Sequence, residues 1–360
     1  MTPQRILIAR LSHLGDVVCA LPLFHALRAA LPEAQISWVV QSEFAGLLQE
    51  LPGLDRVFLF ERKGKLGAWW KLRRELGDYG ADLIVDAQGN WKSAGVNYVS
   101  GAPRRLGLAK SDWRESSGAR SCNEWAPPMP NGEAHSIQRT LALAEFTLTS
   151  LDIDPATITP RFDPALSPVE IARGMELADQ RLPRSKTKPV VLHLATPGDV
   201  RSWPAHYYEN LVRQLLARGT AVLLLSGPSE KDHGHHLRHA LGSRPGLSHW
   251  INQNHLREAS AFFAECARRS IPMLASDSGS MHLAAANGMR VVTLVGPQSE
   301  ARTGPWPAAP DPHHPILRAE DSPDCAPCFS RRCTHPKGPV CMGNISPERV
   351  ADTLTELIAQ

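Results

Sequence analysis

SIPMLASDSGSMHLAAANGMRVVTLVG (270–296) joins an apolar run ending at Ala275 to a second apolar run starting at Val291. Between them lie a break of small and polar residues and an Ala-rich segment from about Met281. Two continuous apolar strands bridged by a helix make a parallel β-α-β unit, because parallel neighbours need a crossover and are covered on both faces. The same alternation continues on both sides. PVVLHLA (189–195), a helix near 204–218 and TAVLLLSG (220–227) precede it. RILIAR (5–10), a helix from about Asp16 to Leu31, QISWVV (35–40), RVFLF (56–60), a helix over 66–77 and DLIVDA (82–87) repeat the pattern near the N-terminus.

A pattern that runs twice predicts an α/β fold of two doubly wound Rossmann-like domains. The size agrees: 360 residues at 42% hydrophobic can fill two cores, since single cores stop growing near ~250–300 residues. The segment TSLDIDPATITPRFDPALSP (149–168) is rich in Pro, Asp and Thr and marks the break. The expected layout is a first domain over 1–167 and a linker over 168–188 that contains a helix. A second domain over 189–345 and a terminal helix over 346–360 follow, the helix announced by its Ser-Pro start and apolar positions 350, 354, 357 and 358. Ligands of doubly wound sheets bind beyond the carboxyl ends of the strands, so chemistry is expected in a central cleft that the two domains face.

No apolar run reaches the ~18 residues of a spanning helix, and MTPQRILIARL lacks a signal-peptide apolar region. The sequence therefore reads as a cytoplasmic, soluble protein. Seven cysteines are too few for a disulfide scaffold in a chain of this length, and Cys19, Cys122 and Cys266 are scattered singly. The net charge is +3, but residues 62–120 hold twelve Lys and Arg against six Asp and Glu. Such an excess suits an anionic partner, or is simply a solvated face.

The loops at the strand ends carry the candidate chemistry. LSHLGD (11–16) ends the first strand with Asp16, either a helix N-cap or a carboxylate able to take a proton from a hydroxyl. The loop has no GxGxxG, which weakens a dinucleotide oxidoreductase. In SDSGSMHLAAANG (276–288), Asp277, Ser278, Gly279 and Ser280 let a phosphate approach backbone N–H groups at a positive helix start, with His282 in the first turn. A tight turn with a capping Ser and a structural His fits the same residues. LATPGDVRSWP (194–204) adds Thr196 and Arg201, LSGPSEKD (225–232) adds Gly227 and Glu230, and GPQSEARTGPW (296–306) adds a fourth loop. Small residues with a cation suit a nucleotide diphosphate, whose departure an Arg can neutralise without a metal.

Together, LSHLGD, DAQGNWKSA (86–94), VRSWP (200–204), SDSGSMHLAAANG and VGPQSEARTGPW (295–306) resemble the ADP-heptose glycosyltransferases of lipopolysaccharide core synthesis, the heptosyltransferases of glycosyltransferase family 9. The resemblance covers most of the chain in order. It implies a GT-B fold with an N-terminal acceptor domain and a C-terminal ADP-heptose domain, and an inverting transfer that requires no cofactor. Asp16 would be the general base, and Thr196, Arg201, Glu230, Asp277, Ser278, Gly279 and His282 would hold the donor. Arg201 stands where relatives often carry Lys and Ser278 where many carry Thr, so the charge and the hydroxyl are kept but the guanidinium fork is bulkier.

The implied acceptor is a lipopolysaccharide core intermediate on lipid A at the cytoplasmic face of the inner membrane, so peripheral membrane association is expected. ERKGKLGAWWKLRREL (61–76) sets Trp69 and Trp70 among Lys63, Lys65 and other basic residues, a composition for an anionic interface or a surface helix with two packed Trp. DWRESSGA (112–119) and HSIQRT (135–140) resemble acceptor segments of first-heptose enzymes, which points to Lys92, Arg114, His135 and Arg139 as acceptor contacts.

CAPCFSRRCTHPKGPVC (325–341) holds Cys325, Cys328, Cys333 and Cys341, a spacing for a structural Zn or Fe site, with four free thiols as the alternative. The cluster is expected to lie outside the strand-end loops. Its tail resembles second-heptose enzymes, so the family is expected and the step in the pathway is open. The alternatives are a protein (autotransporter) heptosyltransferase, a nucleotide-sugar epimerase of GT-B shape, and a nucleic-acid-binding protein with a zinc knuckle, which leaves the strand-end loops unexplained. Nucleic acid is not expected as a partner.

Overall fold

The computed structural model of the chain describes residues 3–61, 64, 66–129, 134–253, 255–307 and 313–359. The chain divides into two compact units, residues 1–165 and 166–360.

In the first unit, β1 (Arg5–Ala9), β2 (Gln35–Gln41), β3 (Arg56–Phe60), β4 (Leu83–Asp86), β5 (Arg104–Gly107) and β6 (Glu124–Trp125) form one sheet in the order β3-β2-β1-β4-β5-β6. Every pairing is parallel. The connecting helices are α1 (Leu14–Cys19), α2 (Leu21–Ala30), α3 (Ser42–Leu48), α4 (Leu66–Tyr79), α5 (Trp91–Ser100) and α6 (Ser136–Thr149). The continuous helix expected over 16–31 is two helices, broken at Ala20 ahead of Pro22, which has no N–H to continue the ladder. Leu7, Ala9, Val39, Ile84 and Val96 meet in one buried cluster, closed by Leu72 and Leu76 of α4.

The second unit opens with α7 (Pro168–Arg181), the helix expected within the linker. Ser167 caps it, accepting from the Glu170 N–H while Glu170 reaches back to the Ser167 N–H. It packs on the helix over Leu256–Arg268 within this unit, and Gly174 makes that possible: a Cβ there would stand 2.3 Å from the Ala261 carbonyl oxygen. The remaining elements are β7 (Val190–His193), α8 (Ala205–Ala217), β8 (Val222–Ser226), α9 (Lys231–Leu241), β9 (Leu247–Ile251), α10 (Leu256–Arg268), β10 (Met273–Ser276), α11 (Gly279–Ala286), β11 (Val291–Leu294), α12 (Glu300–Thr303), β12 (Ile316–Leu317), α13 (Val340–Gly343) and α14 (Pro347–Ala359). α11 begins two residues earlier than the sequence suggests, because Ser278 caps it.

The second sheet runs β12-β11-β10-β7-β8-β9, again all parallel. Counted from each unit's own first strand, both sheets have the order 3-2-1-4-5-6. The order reverses between β1 and β4 in one unit and between β7 and β10 in the other, and such switch points are where open α/β sheets bind ligands. Trp203 is core: it is buried against Tyr208 and donates from Nε1 to the Ile345 carbonyl at 3.0 Å. That bond ties α14, whose Val350, Leu354 and Leu357 are buried, to the start of α8.

Candidate active site

The loops leaving β7 and β10 meet at the second switch point. Arg201, eight residues beyond the end of β7, donates from Nη1 to the Asp277 carbonyl at 3.0 Å. Its Nε and Nη2 grip Asp199 at 2.9 and 2.8 Å. Hydrogen bonding to Asp199 raises the Arg201 guanidinium above its ordinary value, and the same contact holds the Asp199 carboxyl below its own. Asp199 has no counterpart in the sequence reading. The signal was present as an acid two residues before the base, but a carboxylate beside an expected phosphate site argues against itself unless its partner is known.

Asp277 is buried at the end of β10. Its Oδ2 accepts from Thr303 Oγ1 of α12 at 3.0 Å, and its Oδ1 lies 3.8 Å from His282 Nε2. Ser278 Oγ accepts the Met281 N–H at 3.4 Å, so the capping reading of this Ser holds; Gly279 is the first residue of α11. The helix start still offers positive N–H density beside Arg201.

Glu230 ties the β7 and β8 loops together. It accepts from Thr196 Oγ1 at 2.6 Å, from the Gly227 N–H at 2.9 Å and from Ser229 Oγ. Burial pushes its carboxyl up, but the bonds from Ser229 and Thr196 prevail and leave it below its ordinary value. About four lone-pair sites exist on a carboxylate, and three are used by the protein. Thr196, Arg201, Glu230, Asp277, Ser278, Gly279 and His282 are therefore all at strand ends of one sheet.

In the first unit, the loops after β1 and β4 are stitched at its switch point. Gln88 accepts the Leu11 and Ser12 N–H groups at 2.8 and 3.2 Å and donates to Ser12 Oγ at 2.9 Å. Gly89 turns the β4 loop with φ +68, where a Cβ would be strained. Asp86, wholly buried, accepts the Gln88 and Gly89 N–H groups and Asn97 Nδ2, yet burial still raises its carboxyl. Asp16 lies in the first turn of α1. It is not the N-cap: that position is His13, at φ 64. Arg10 pairs with Asp16, Nη2 to Oδ1 at 2.8 Å, and also donates to the Ala87 carbonyl. His13 Nδ1 lies 3.4 Å from Asp16 Oδ2. Arg10 and Gln88 were not singled out in the sequence, because the bonds that stitch these two loops, from Arg10 to the Ala87 carbonyl and from the Leu11 N–H to Gln88, each span 77 residues.

The expected acceptor residues are dispersed. Lys92 is exposed in the first turn of α5, and Arg114 is exposed with Nε 3.4 Å from Glu115. The Arg114 N–H donates to the Gly89 carbonyl, which brings this segment against the β4 loop. His135 is fully buried as the N-cap of α6, its Nδ1 accepting from the Ile137 N–H at 3.2 Å, and Arg139 follows one turn later. Lys63 and Lys65 lie outside the described residues.

Cys325, Cys328 and Cys333 are exposed free thiols and Cys341 is buried. Burial and the three other cysteines raise the Cys341 thiol. All four line one cavity of about 20 Å³ together with His335. Among the described residues no three His, Cys, Asp or Glu side chains are arranged to hold a metal ion. The cluster does not lie apart from the strand-end loops: the Cys328 and Phe329 N–H groups both donate to the Pro297 carbonyl in the loop after β11, at 3.1 and 2.9 Å. Arg302 of α12 stacks on the Phe329 ring at 4.8 Å. Among the described residues no helix is long and apolar enough to cross a membrane.

Comparison with known proteins agrees with this geometry. The family described as glycosyltransferase family 9 (heptosyltransferase) matches residues 69–337. Lipopolysaccharide heptosyltransferase 1 of Pseudomonas aeruginosa is 28% identical, over 99% of this chain and 98% of its own. The structure of Escherichia coli ADP-heptose lipopolysaccharide heptosyltransferase II shares the fold with a TM-score of 0.73 at 23% identity, covering 99% of both chains. That of the E. coli heptosyltransferase WaaC with ADP does so with a TM-score of 0.71 at 20% identity, covering 98% of this chain and 99% of that one. Two Rossmann-ordered sheets, each with polar loops at its switch point, are thus the GT-B architecture, and the chain belongs to glycosyltransferase family 9, the heptosyltransferases.

Proposed function

We propose that this enzyme transfers heptose from ADP-heptose to a hydroxyl of the lipopolysaccharide inner core, Kdo-lipid A or its heptosylated form, with inversion at the anomeric carbon. The observation that carries the reading is the gathering of Arg201 and the start of α11 at the β7/β10 switch point. A diphosphate there meets a guanidinium and helix N–H groups, which stabilise negative charge as the ADP leaves. Thr196, Glu230 and His282 border the same place and would bind the donor's hydroxyls. ADP as the nucleotide is supported by the relative solved with it.

Asp16 would take the proton of the acceptor hydroxyl as its oxygen attacks the anomeric carbon and the bond to the β-phosphate oxygen breaks. Arg10 aims the carboxylate through its ion pair. Lys92 and Arg114, exposed beside the β4 loop, are suited to acceptor acids, with Lys63, Lys65, His135 and Arg139 retained as acceptor-side candidates. Residues 1–167 would act as acceptor domain, 168–188 as linker and 189–345 as donor domain, working at the cytoplasmic face of the inner membrane.

The transfer would use no cofactor. A Zn or Fe ion at Cys325, Cys328, Cys333 and Cys341 would be structural, bracing the loop that carries α12. The shared cavity and soft donors favour such an ion, although the exposed thiols would have to turn inward to bind it. Metal analysis of the purified protein decides this point. The function is tested by titrating the protein with ADP, GDP, UDP and ADP-heptose, then assaying transfer to Kdo-lipid A. Selective ADP and ADP-heptose binding with product formation supports the reading, and equal binding of all three diphosphates defeats it.

A further inference from the structure

Every exposed Trp and Tyr among the described residues sits on two neighbouring helices, α4 and α5. The helices are locked side by side, with Trp69 of α4 so close to Gly95 of α5 that a Cβ would meet its ring at 2.7 Å. Their inner faces are ordinary core: Leu72 and Leu76 from one, Ala94 and Val96 from the other. Their outer faces are not ordinary surface. Leu66 and Trp70 are 79% and 67% exposed on α4, and Trp91 and Tyr98 are 58% and 61% exposed on α5. Residues 66 and 70 are one turn apart and residues 91 and 98 two turns apart, so each pair shares a helix face.

The cations of the pair are exposed as well: Lys71, Arg73 and Arg74 on α4 and Lys92 on α5, four against the two acids Glu75 and Asp78. Lys71 reaches Glu75 only at 3.8 Å, and Arg73 lies over the Trp70 ring at 6.0 Å. Amphipathic rings beside an excess of bases are the composition that settles at a headgroup layer. A second copy of the chain would bring like charges together, which disfavours self-association through this face.

We infer that the outer face of α4 and α5 is a docking surface for an anionic phospholipid bilayer, with Leu66, Trp70, Trp91 and Tyr98 entering the headgroup region and the bases meeting lipid phosphates. It rests on the proposed function only in its purpose, which is to bring the β4 loop to a lipid-borne acceptor. Trp91 and Lys92 open α5 directly after that loop, so the docking face borders the proposed acceptor side.

The test is sedimentation of the full chain with phosphatidylglycerol-rich and with pure phosphatidylcholine vesicles, at low and high salt, without donor or acceptor. Binding is expected to favour the anionic vesicles and to weaken with salt. It should fall on the order of tenfold or more in Trp70→Ser/Tyr98→Ser and in Arg73→Glu/Arg74→Glu. Circular dichroism and ADP titration of the same samples show that the variants fold. No binding by the wild-type chain overturns the inference, as does unchanged binding by folded variants. Lipid-free dimerisation abolished by Trp70→Ser/Tyr98→Ser would assign the face to a second copy instead. A protein that binds vesicles but not ADP would defeat the donor reading and leave this one standing.

Discussion

Asp199 holds the Arg201 guanidinium by two hydrogen bonds, at 2.9 and 2.8 Å, while the third guanidinium nitrogen reaches the Asp277 carbonyl at 3.0 Å. The acid therefore aims the base from the β7 loop toward the start of α11. Simple charge counting says that removing Asp199 should favour an anionic ligand. Positioning says the opposite, because a freed Arg regains its rotamers and must be ordered again on binding. Asp199→Ala is expected to weaken ADP binding about tenfold, the order for losing charge-assisted hydrogen bonds at one ion. Arg201→Ala should weaken it at least as much and slow turnover too. Calorimetric titration distinguishes the two arguments, and tighter ADP binding by Asp199→Ala would show that the carboxylate competes with the ligand.

The Arg10–Asp16 pair at 2.8 Å gives a second separation, between chemistry and donor binding. Asp16→Asn keeps the shape and removes the proposed base, so turnover should drop by about 100-fold or more while ADP binding stays near wild type. Arg10→Lys keeps the charge but cannot serve Asp16 and the Ala87 carbonyl with one planar fork, and a smaller loss of turnover is expected. Single-turnover rates at saturating donor measure both. Full turnover in Asp16→Asn would remove this residue from the reaction.

The readability of this chain followed burial. Strands β1, β2, β4, β7, β8, β10 and β11 are buried almost throughout and announce themselves as apolar runs. β5, β6, β9 and β12 were not singled out. β6, β9 and β12 are sheet edges, and β5 is the neighbour of one, so each is partly solvated and carries mixed residues such as RRLG and LSHWI. Candidate residues were legible where strand-end position and chemistry coincided, as at Arg201 and Asp277, which the fold brings together. Residues that act on other residues were not, since Gln88 and Asp199 bind no expected ligand and have meaning only once the loops are folded. At His135 a local role was missed: HSIQ carries a reciprocal cap with Gln138, which the sequence does not announce because His is an uncommon N-cap.

Two glycines in helices should respond to Ala with opposite signs. At Gly174 a Cβ would lie 2.3 Å from the Ala261 backbone oxygen, so α7 and α10 would have to part. Gly174→Ala should cost roughly 1–3 kcal/mol, the range for overpacking a tight contact. At Gly77 in α4 nothing lies within 4 Å of the added atom. Gly77→Ala should instead stabilise by about 0.5–1 kcal/mol through the helix propensity of Ala. Thermal unfolding of the two variants checks the pair, and equal effects would mean that α7 and α10 do not touch as closely as described.

Glu230 supplies a pH signature. Its two oxygens serve Thr196, Ser229 and the Gly227 N–H, and its carboxyl lies below the ordinary 4.5. A carboxyl depressed on folding stabilises the fold fully above its unfolded value, and that contribution is lost as pH falls through the lower folded value. Glu230→Gln removes the charge and turns an amide donor toward groups that themselves donate, a mismatch of roughly 1–3 kcal/mol for a buried site. The melting-temperature gap between wild type and Glu230→Gln should therefore be open at neutral pH. It should hold down to about pH 4.5 and narrow below it, as the wild-type carboxyl takes up a proton. His193 at the end of β7 works against the narrowing: burial lowers its imidazole and the Glu230 charge partly raises it again, so removing that carboxylate deepens the acid penalty of His193 in Glu230→Gln. A gap that stays constant through the acid range would show that the Glu230 charge contributes nothing to the joint between the β7 and β8 loops.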